Sequence, residues 1–179
     1  MRSRRSGLVV NVSSGAGVEG RESMAVYAAA KAAMDGVCKV LAKEMAPFGG
    51  RVLTVQLGSF DTNMGPSVRL ASRDMPEDYA GSVLEQVYQV MANSARDGFP
   101  ADGDHLKAAE VIYQVVTGTG VGRGREAERV LPLGRDMAKG VDGVVTGWKR
   151  SMDVFGEVCG SVYLDKNAGE RGEACNEDK

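Results

Sequence analysis

A strand, helix, strand pattern near the start of the chain is the feature that most constrains its fold. Residues 8–12 and 52–56 are short apolar, β-branched runs bounded by glycine, serine or both, as expected of buried strands. Between them, residues 23–46 carry apolar side chains at helical spacing and stop at Pro47. Because a crossover helix joins parallel strands, this unit predicts an α/β fold with a parallel sheet.

The rest of the chain predicts further elements of the same kind. Residues 59–103 form a long connection with a helical pattern of its own, which is typical of a substrate lid. Two more helical patterns flank the run Val130–Leu133, whose proline favours an edge strand. Residues 165–179 are polar and charged, so we expect a disordered tail. The folded domain is therefore predicted to span residues 1–164.

Composition excludes several classes of partner. The sequence has 22 Lys and Arg residues against 24 Asp and Glu, for a net charge of −2. It therefore lacks the excess of positive charge that would attract nucleic acid or an anionic membrane. The 3 cysteines lack disulfide or metal-ligand spacing, which favours a reducing compartment and no metal site. No apolar run approaches the ~20 residues of a membrane span. We therefore expect a cytoplasmic protein.

Candidate functional side chains lie where the predicted strands end. In open parallel sheets, ligands bind beyond the carboxyl ends of the strands, where Ser14 and the segment from Gly58 to Thr62 lie. Tyr27 and Lys31 are one turn apart on the helix between the strands. A phenol ionises only near pH 10, but a nearby cation stabilises the phenolate. Tyr27 is thus a candidate proton carrier, although a surface Tyr and Lys pair has the same spacing.

Four segments together resemble the short-chain dehydrogenase/reductase family. They are GLVVNVSSGAGVEGRESMAVYAAAK at 7–31, VLTVQLGSFDTNM at 52–64, DHLKAAEVI at 104–112 and RVLPLGRDM at 129–137. Ser14 precedes Tyr27 by 13 residues, as in that family. The resemblance extends to about residue 160 and implies a partial Rossmann-type, doubly wound parallel sheet made of the later strands and helices.

The same resemblance implies hydride transfer between NAD or NADP and an alcohol or carbonyl substrate. Tyr27 would give or take the hydroxyl proton, Lys31 would assist it and hold the nicotinamide ribose, and Ser14 would hydrogen-bond the substrate oxygen. Gly58 and Thr62 would line the nicotinamide side, with Thr62 bonding the carboxamide. These five residues form the predicted catalytic and cofactor-binding set.

The resemblance also implies that the N-terminal, cofactor-binding half of the family's fold is absent from this sequence. The glycine-rich loop and helix that bind the pyrophosphate in the family have no counterpart in the sequence, so we expect cofactor binding to need that N-terminal half. The chain alone is then expected to be inactive. The alternative is a non-catalytic protein that binds partners through the uncovered edge of strand 8–12 or through helix 23–46. The same helix would also form the contact between subunits of a homo-oligomer.

Three further features are predicted to carry no chemistry. The glycine-rich run from Gly118 to Gly124 follows a helix and not a strand, so it predicts a turn and not a phosphate loop. His105 precedes a helical pattern and is interpreted as a solvated helix start. Trp148 belongs to an apolar stripe that indicates a docking surface.

Overall fold

The computed structural model describes residues 1–98 and 100–163. The described residues fall into two compact units, which are divided after Val144. The first unit contains the strands. Of the second, the described residues continue the last helix. The predicted tail, residues 165–179, lies outside the described residues, and so does Leu164.

The helices and strands follow the alternating order that the sequence predicts. Their bounds are β1 Gly7–Ser14, α1 Ala16–Glu19, α2 Ala25–Met45, β2 Gly50–Leu57, α3 Val83–Asp97, α4 His105–Thr117, β3 Val130–Leu133 and α5 Arg135–Cys159. Helix α3 lies inside the long connection between β2 and α4. The predicted α/β fold with a parallel sheet is confirmed.

The register of the sheet brings three strand ends to one edge. Within the described residues the strand order is β1-β2-β3, and both pairings are parallel. Ser14 lies beside Leu57, and Leu57 lies beside Leu133, so all three strands finish at the same level. Side chains that follow these strands are therefore close in space.

Apolar side chains cover the two faces of β2 with different helices. On one face, Val52 packs with Cys38 and Ala42 of α2. On the other, Leu53 and Val55 pack with Val115 of α4 and with partly buried neighbours, Leu8, Leu57, Ile112, Val116, Leu131 and Leu133. Successive residues of a strand point to opposite faces, which explains how one strand serves both helices. The result is a sheet between two helical layers.

Strand β1 has an exposed side. Val10 is 38% exposed and Val12 is 51% exposed, so the run at residues 8–12 is not fully buried, in line with the uncovered edge expected for this strand. In the part of the chain that the structure describes, β1 pairs with β2 alone and its other side is an edge. The apolar composition of this strand therefore does not correspond to burial within the described fold.

The features predicted to carry no chemistry occupy ordinary structural positions. His105 is the exposed first residue of α4, where Asp104 caps the helix by accepting hydrogen bonds from Leu106 N at 2.9 Å and Lys107 N at 3.1 Å. The glycine-rich run contains a 3₁₀ turn at Gly120–Gly122. Trp148, in the second unit, is 70% exposed. None of the described helices has the length and apolar character needed to span a bilayer.

Candidate active site

Two hydroxyl groups face one cavity at the carboxyl edge of the sheet. Ser14 is the last residue of β1, and Tyr27 lies in the first turn of α2. Both line a cavity of about 140 Å³. The Oγ of Ser14 accepts a hydrogen bond from Ala16 N at 3.3 Å, which leaves its own hydrogen available to the cavity. A substrate oxygen in this space could meet both hydroxyls.

Lys31 lies one helical turn beyond Tyr27 and is anchored to the sheet. Its Nζ donates to the carbonyl oxygen of Val12 at 2.9 Å and lies 5.7 Å from the centroid of the Tyr27 ring. The ammonium therefore lies within cation–π distance of the Tyr27 ring. The carbonyl anchor fixes the ammonium near the end of β1.

Gly17 allows α1 to approach α2 at Lys31. A Cβ on Gly17 would lie 2.9 Å from both the backbone nitrogen of Ala32 and the Cβ of Lys31, which is closer than atoms of this kind can pack. The absence of a side chain at position 17 thus lets the turn after Ser14 contact the helix that carries the lysine. The two parts of the site are held together at this point.

Gly58 and Thr62 follow β2 but have different surroundings. The Gly58 amide donates to the Leu133 carbonyl at 2.7 Å, and a Cβ at this position would overlap the carboxylate of Asp136. Thr62 is exposed, and its Oγ1 accepts from Met64 N at 3.3 Å. Thr62 is not among the residues that line the cavity with Ser14 and Tyr27.

The available donors fit part of a nicotinamide nucleoside. The ammonium of Lys31 has three N–H groups, and one of them donates to the Val12 carbonyl. The other two can bond ribose hydroxyls. The Thr62 hydroxyl accepts from the backbone and retains its hydrogen for an acceptor such as a carboxamide oxygen. Thr62 follows the end of β2, and Lys31 bonds Val12 near the end of β1, so both groups lie at the edge where ligands bind in open parallel sheets.

An ionic network connects the three segments that surround the cavity. The Arg21 guanidinium bonds Glu19 at 2.6 Å and Asp136 at 3.1 Å. Asp136 also accepts from the Ser59 amide at 3.3 Å and the Ser59 hydroxyl at 3.2 Å. Asp136 therefore fixes the loop after β2 and the loop after α1 to the start of α5.

Two opposing effects act on the Asp136 carboxyl group. Burial raises its pKa, but hydrogen bonds from Arg21 and Ser59 outweigh burial, and the net pKa is below the ordinary aspartate range. For Arg21, burial lowers the pKa, and the contacts with Glu19 and Asp136 reverse that effect. The charged forms of both residues are thus favoured in the folded protein.

We expect Asp136→Asn to lower the melting temperature at pH 7 by about 1–3 °C, because the pair is partly exposed. Since folding lowers the pKa of Asp136, its contribution is complete above the ordinary range near pH 4 and is lost as the pH falls through the folded-state value. The difference between variant and wild type should therefore shrink at pH 3. Thermal melts at both pH values measure this.

Asp142→Asn serves as the matched control, because Asp142 is an exposed carboxylate on the same helix. It should melt like the wild type at pH 7. A difference for Asp136→Asn that grows on acidification would contradict the assigned network.

Sequence reasoning missed this network. Arg21 and Asp136 are 115 positions apart, and periodicity carries no information about such a pair. One signal was present, since Asp136 is an acidic residue in the first turn of α5, where a carboxylate is favoured by the helix dipole. Its partners could not be identified without the register that places Leu57 beside Leu133.

The long connection after β2 contributes the far wall of the cavity. Phe60 and Gly103, near its two ends, form a parallel bridge, and Asp61 N donates to Gly103 O at 2.9 Å. The segment between them supplies Met64 as well as Val87 and Met91 of α3, all of which line the cavity. This is the position that a substrate lid would occupy.

The fold and the site together define a structural class. A parallel sheet with helices on both faces and polar groups beyond its carboxyl edge is the arrangement of Rossmann-type α/β proteins. The model of the short chain dehydrogenase family matches residues 1–73. Over these residues the chain is similar to the short-chain dehydrogenase/reductase family, and its fold agrees with a solved member of that family.

Individual proteins are similar to this chain over part of their length. A 3-ketodihydrosphingosine reductase of Bacteroides thetaiotaomicron is 34% identical over 99 residues, which cover 55% of this chain and 36% of the relative. A crystal structure of a short-chain dehydrogenase from Streptomyces avermitilis superposes with a TM-score of 0.71 and 27% identity, over 91% of this chain and 55% of that one. NAD⁺-bound xylitol dehydrogenase shares the fold, with a TM-score of 0.50, 24% identity and coverage of 74% and 50%. The chain thus spans 36% of the reductase and about half of the two solved chains.

Proposed function

We propose that this chain carries the proton-transfer site of an NAD(P)-dependent oxidoreductase acting on an alcohol or carbonyl substrate. The observation that supports this is the joint presence of the Ser14 and Tyr27 hydroxyls in one cavity, with the Lys31 ammonium 5.7 Å from the phenol ring. A tyrosine without a role in a site would have no reason to share a cavity with a strand-end serine. The lack of disulfide spacing in the sequence supports a cytoplasmic location.

Each residue has a defined part in the proposed reaction. A bound nicotinamide supplies hydride to the carbonyl carbon or accepts it from the carbinol carbon. Ser14 donates a hydrogen bond to the substrate oxygen and orients it. During reduction, Tyr27 Oη gives its proton to that oxygen, so the C=O bond becomes C–OH and the phenolate remains. Lys31 stabilises the phenolate until a proton from solvent regenerates the phenol.

Lys31 and Thr62 would hold the nicotinamide nucleoside through its ribose hydroxyls and carboxamide, with Gly58 beside them. The closeness of Gly58 to Asp136 supports a fixed loop on this side of the site. Which of NAD and NADP is used depends on contacts to the 2′ position, which these residues do not supply.

The test compares the chain with a fusion protein that joins it to the part of the Streptomyces avermitilis dehydrogenase outside the aligned region. Oxidation of NADH and NADPH is followed with a panel of ketones. We expect ketone-dependent oxidation by the fusion protein and little by the chain, because cofactor affinity in this fold depends on the phosphate-binding loop. A well-folded fusion protein that binds NADH or NADPH but reduces none of the ketones would contradict the proposal.

A second function is favoured by one specific observation. Helix α2 exposes several large apolar side chains, namely Val26, Met34, Val37 and Val40, and Val26 is 86% exposed. Because such a stripe is costly to leave in water, we propose that α2 forms an interface, either between copies of this chain or with another protein. As a non-catalytic interaction module, the chain would use this surface and the edge of β1.

We expect the double variant Val26→Glu, Val37→Glu to raise the dissociation constant for self-association by at least about tenfold, because the interface would bury unpaired carboxylates. Sedimentation equilibrium measures it. Leu106→Glu is the control, since Leu106 is 70% exposed on α4 and should be neutral. Equal association by the double variant and the wild type would exclude α2 as the self-interface.

A further inference from the structure

We propose that the cavity beside Ser14 and Tyr27 selects a small, uncharged, apolar ketone or the matching secondary alcohol. This inference rests on the function proposed above and specifies the class of substrate. It is carried by the chemistry of the cavity walls, by the pairing of the charges near them, and by the volume of about 140 Å³.

The wall that faces the hydroxyls is apolar and adaptable. It includes Phe60 and Val87 together with three methionines, Met24, Met64 and Met91. Thioether side chains are flexible and polarizable, so they fit apolar groups of varied shape. A cavity of about this volume holds a six-membered ring when its lining is apolar. The walls therefore favour a compact hydrocarbon group on the carbonyl carbon.

Arg21, the cationic side chain that lines the cavity, already forms ion pairs. The Arg21 guanidinium lines the cavity but bonds Glu19 at 2.6 Å and Asp136 at 3.1 Å. The other charged lining residue that the structure describes is Glu22, which is acidic. A carboxylate or phosphate on the substrate would thus lose water without gaining a free cation.

The hydrogen-bonding groups match a single oxygen. Ser59 also lines the cavity, but its hydroxyl already donates a hydrogen bond to Asp136 at 3.2 Å. Ser14 and Tyr27 then remain as donors, and both serve the carbonyl oxygen. Further hydroxyl groups on a sugar-like substrate would be buried against Met64 and Met91 without partners, which is unfavourable.

The test measures binding to the whole chain by NMR of methionines labelled with ¹³C at the methyl group. The chain has 9 methionines, so those outside the cavity act as internal controls. Three carbonyl compounds are titrated: cyclohexanone as the apolar probe, dihydroxyacetone as the hydroxylated probe and pyruvate as the anionic probe. We expect cyclohexanone to shift the methyl signals of Met24, Met64 and Met91 saturably, with at least about tenfold higher affinity than the other two.

A matched pair of variants locates the binding. Val87→Asp places a charge in the cavity wall and should weaken cyclohexanone binding at least about tenfold, whereas Val90→Asp, at a 42% exposed position on the same helix, should not. The methyl spectrum itself reports whether each variant is folded. Loss of binding in both variants, or in neither, would overturn the assignment to this cavity.

Other outcomes are also decisive. No saturable shift with cyclohexanone, or equal affinity for dihydroxyacetone or pyruvate, overturns the proposal. Because this measurement needs neither cofactor nor turnover, selective cyclohexanone binding would stand even if the fusion protein reduced nothing. Conversely, a fusion protein that reduced pyruvate in preference to cyclohexanone would support the oxidoreductase and refute the apolar substrate.

Discussion

The Tyr27→Phe variant of the fusion protein is expected to reduce ketones about 10²- to 10⁴-fold more slowly than the parent, the range typical of losing a general acid. The substitution removes one oxygen and preserves the ring that lies against Lys31. Binding should change little, so the loss should appear in kcat. Steady-state kinetics with NADH or NADPH and cyclohexanone measure it.

Two further variants make this result specific. Tyr79→Phe removes the same oxygen from a tyrosine that is 45% exposed, and it should leave kcat unchanged. Ser14→Ala should slow reduction less than Tyr27→Phe, because Ser14 orients the oxygen and does not transfer the proton. A Tyr27→Phe fusion protein with the parental kcat would contradict the assignment of Tyr27.

The second large effect is expected for Gly17→Val. Its side chain would collide with the backbone of α2 at Lys31 and Ala32, where even a Cβ lies 2.9 Å from the Ala32 nitrogen. Separating α1 from α2 should cost about 1–3 kcal/mol of unfolding free energy, as overpacking usually does. Displacement of Lys31 should also lower kcat at least about tenfold. Urea unfolding of the chain and kinetics of the fusion protein test the two effects.

Gly36→Val provides the control for this prediction. Gly36 lies on α2, the helix that Gly17 of α1 contacts, and a Cβ at position 36 would meet no atom within 4 Å. Valine is only slightly disfavoured in helices compared with alanine and is better than glycine, so this variant should be neutral or slightly stabilising. Equal destabilisation by both valines would show that helix propensity, and not the contact with Lys31, is responsible.

The layered architecture could be predicted because local patterns determine it. The run that became β2 is apolar on both faces, and Val52 and Leu53 indeed pack against different helices. Proline at position 132 correctly indicated an edge strand for β3. The uncovered edge of β1 was expected from the resemblance and not from a local pattern, because exposure of Val12 depends on which elements lie beside the strand.

The candidate site was predictable to a different degree for each residue. Strand ends and helical spacing were enough to place Ser14, Tyr27 and Lys31 at one edge of the sheet. The positions of Met64 and Met91 in the cavity wall depend on how a 45-residue connection, residues 59–103, folds back, and no periodic pattern specifies that path. Asp136 and its partners depend on tertiary register, which is why sequence analysis did not find them.

The central claim is that Tyr27 delivers the proton that accompanies hydride transfer in this site. The most direct measurement is a single-turnover reaction of the fusion protein with cyclohexanone and NADH or NADPH deuterated at the transferable position of the nicotinamide, with the product analysed by mass spectrometry. We predict deuterium on the carbinol carbon with the parent, and transfer slowed about 100-fold or more with Tyr27→Phe. Transfer at the same rate in both proteins would contradict the account.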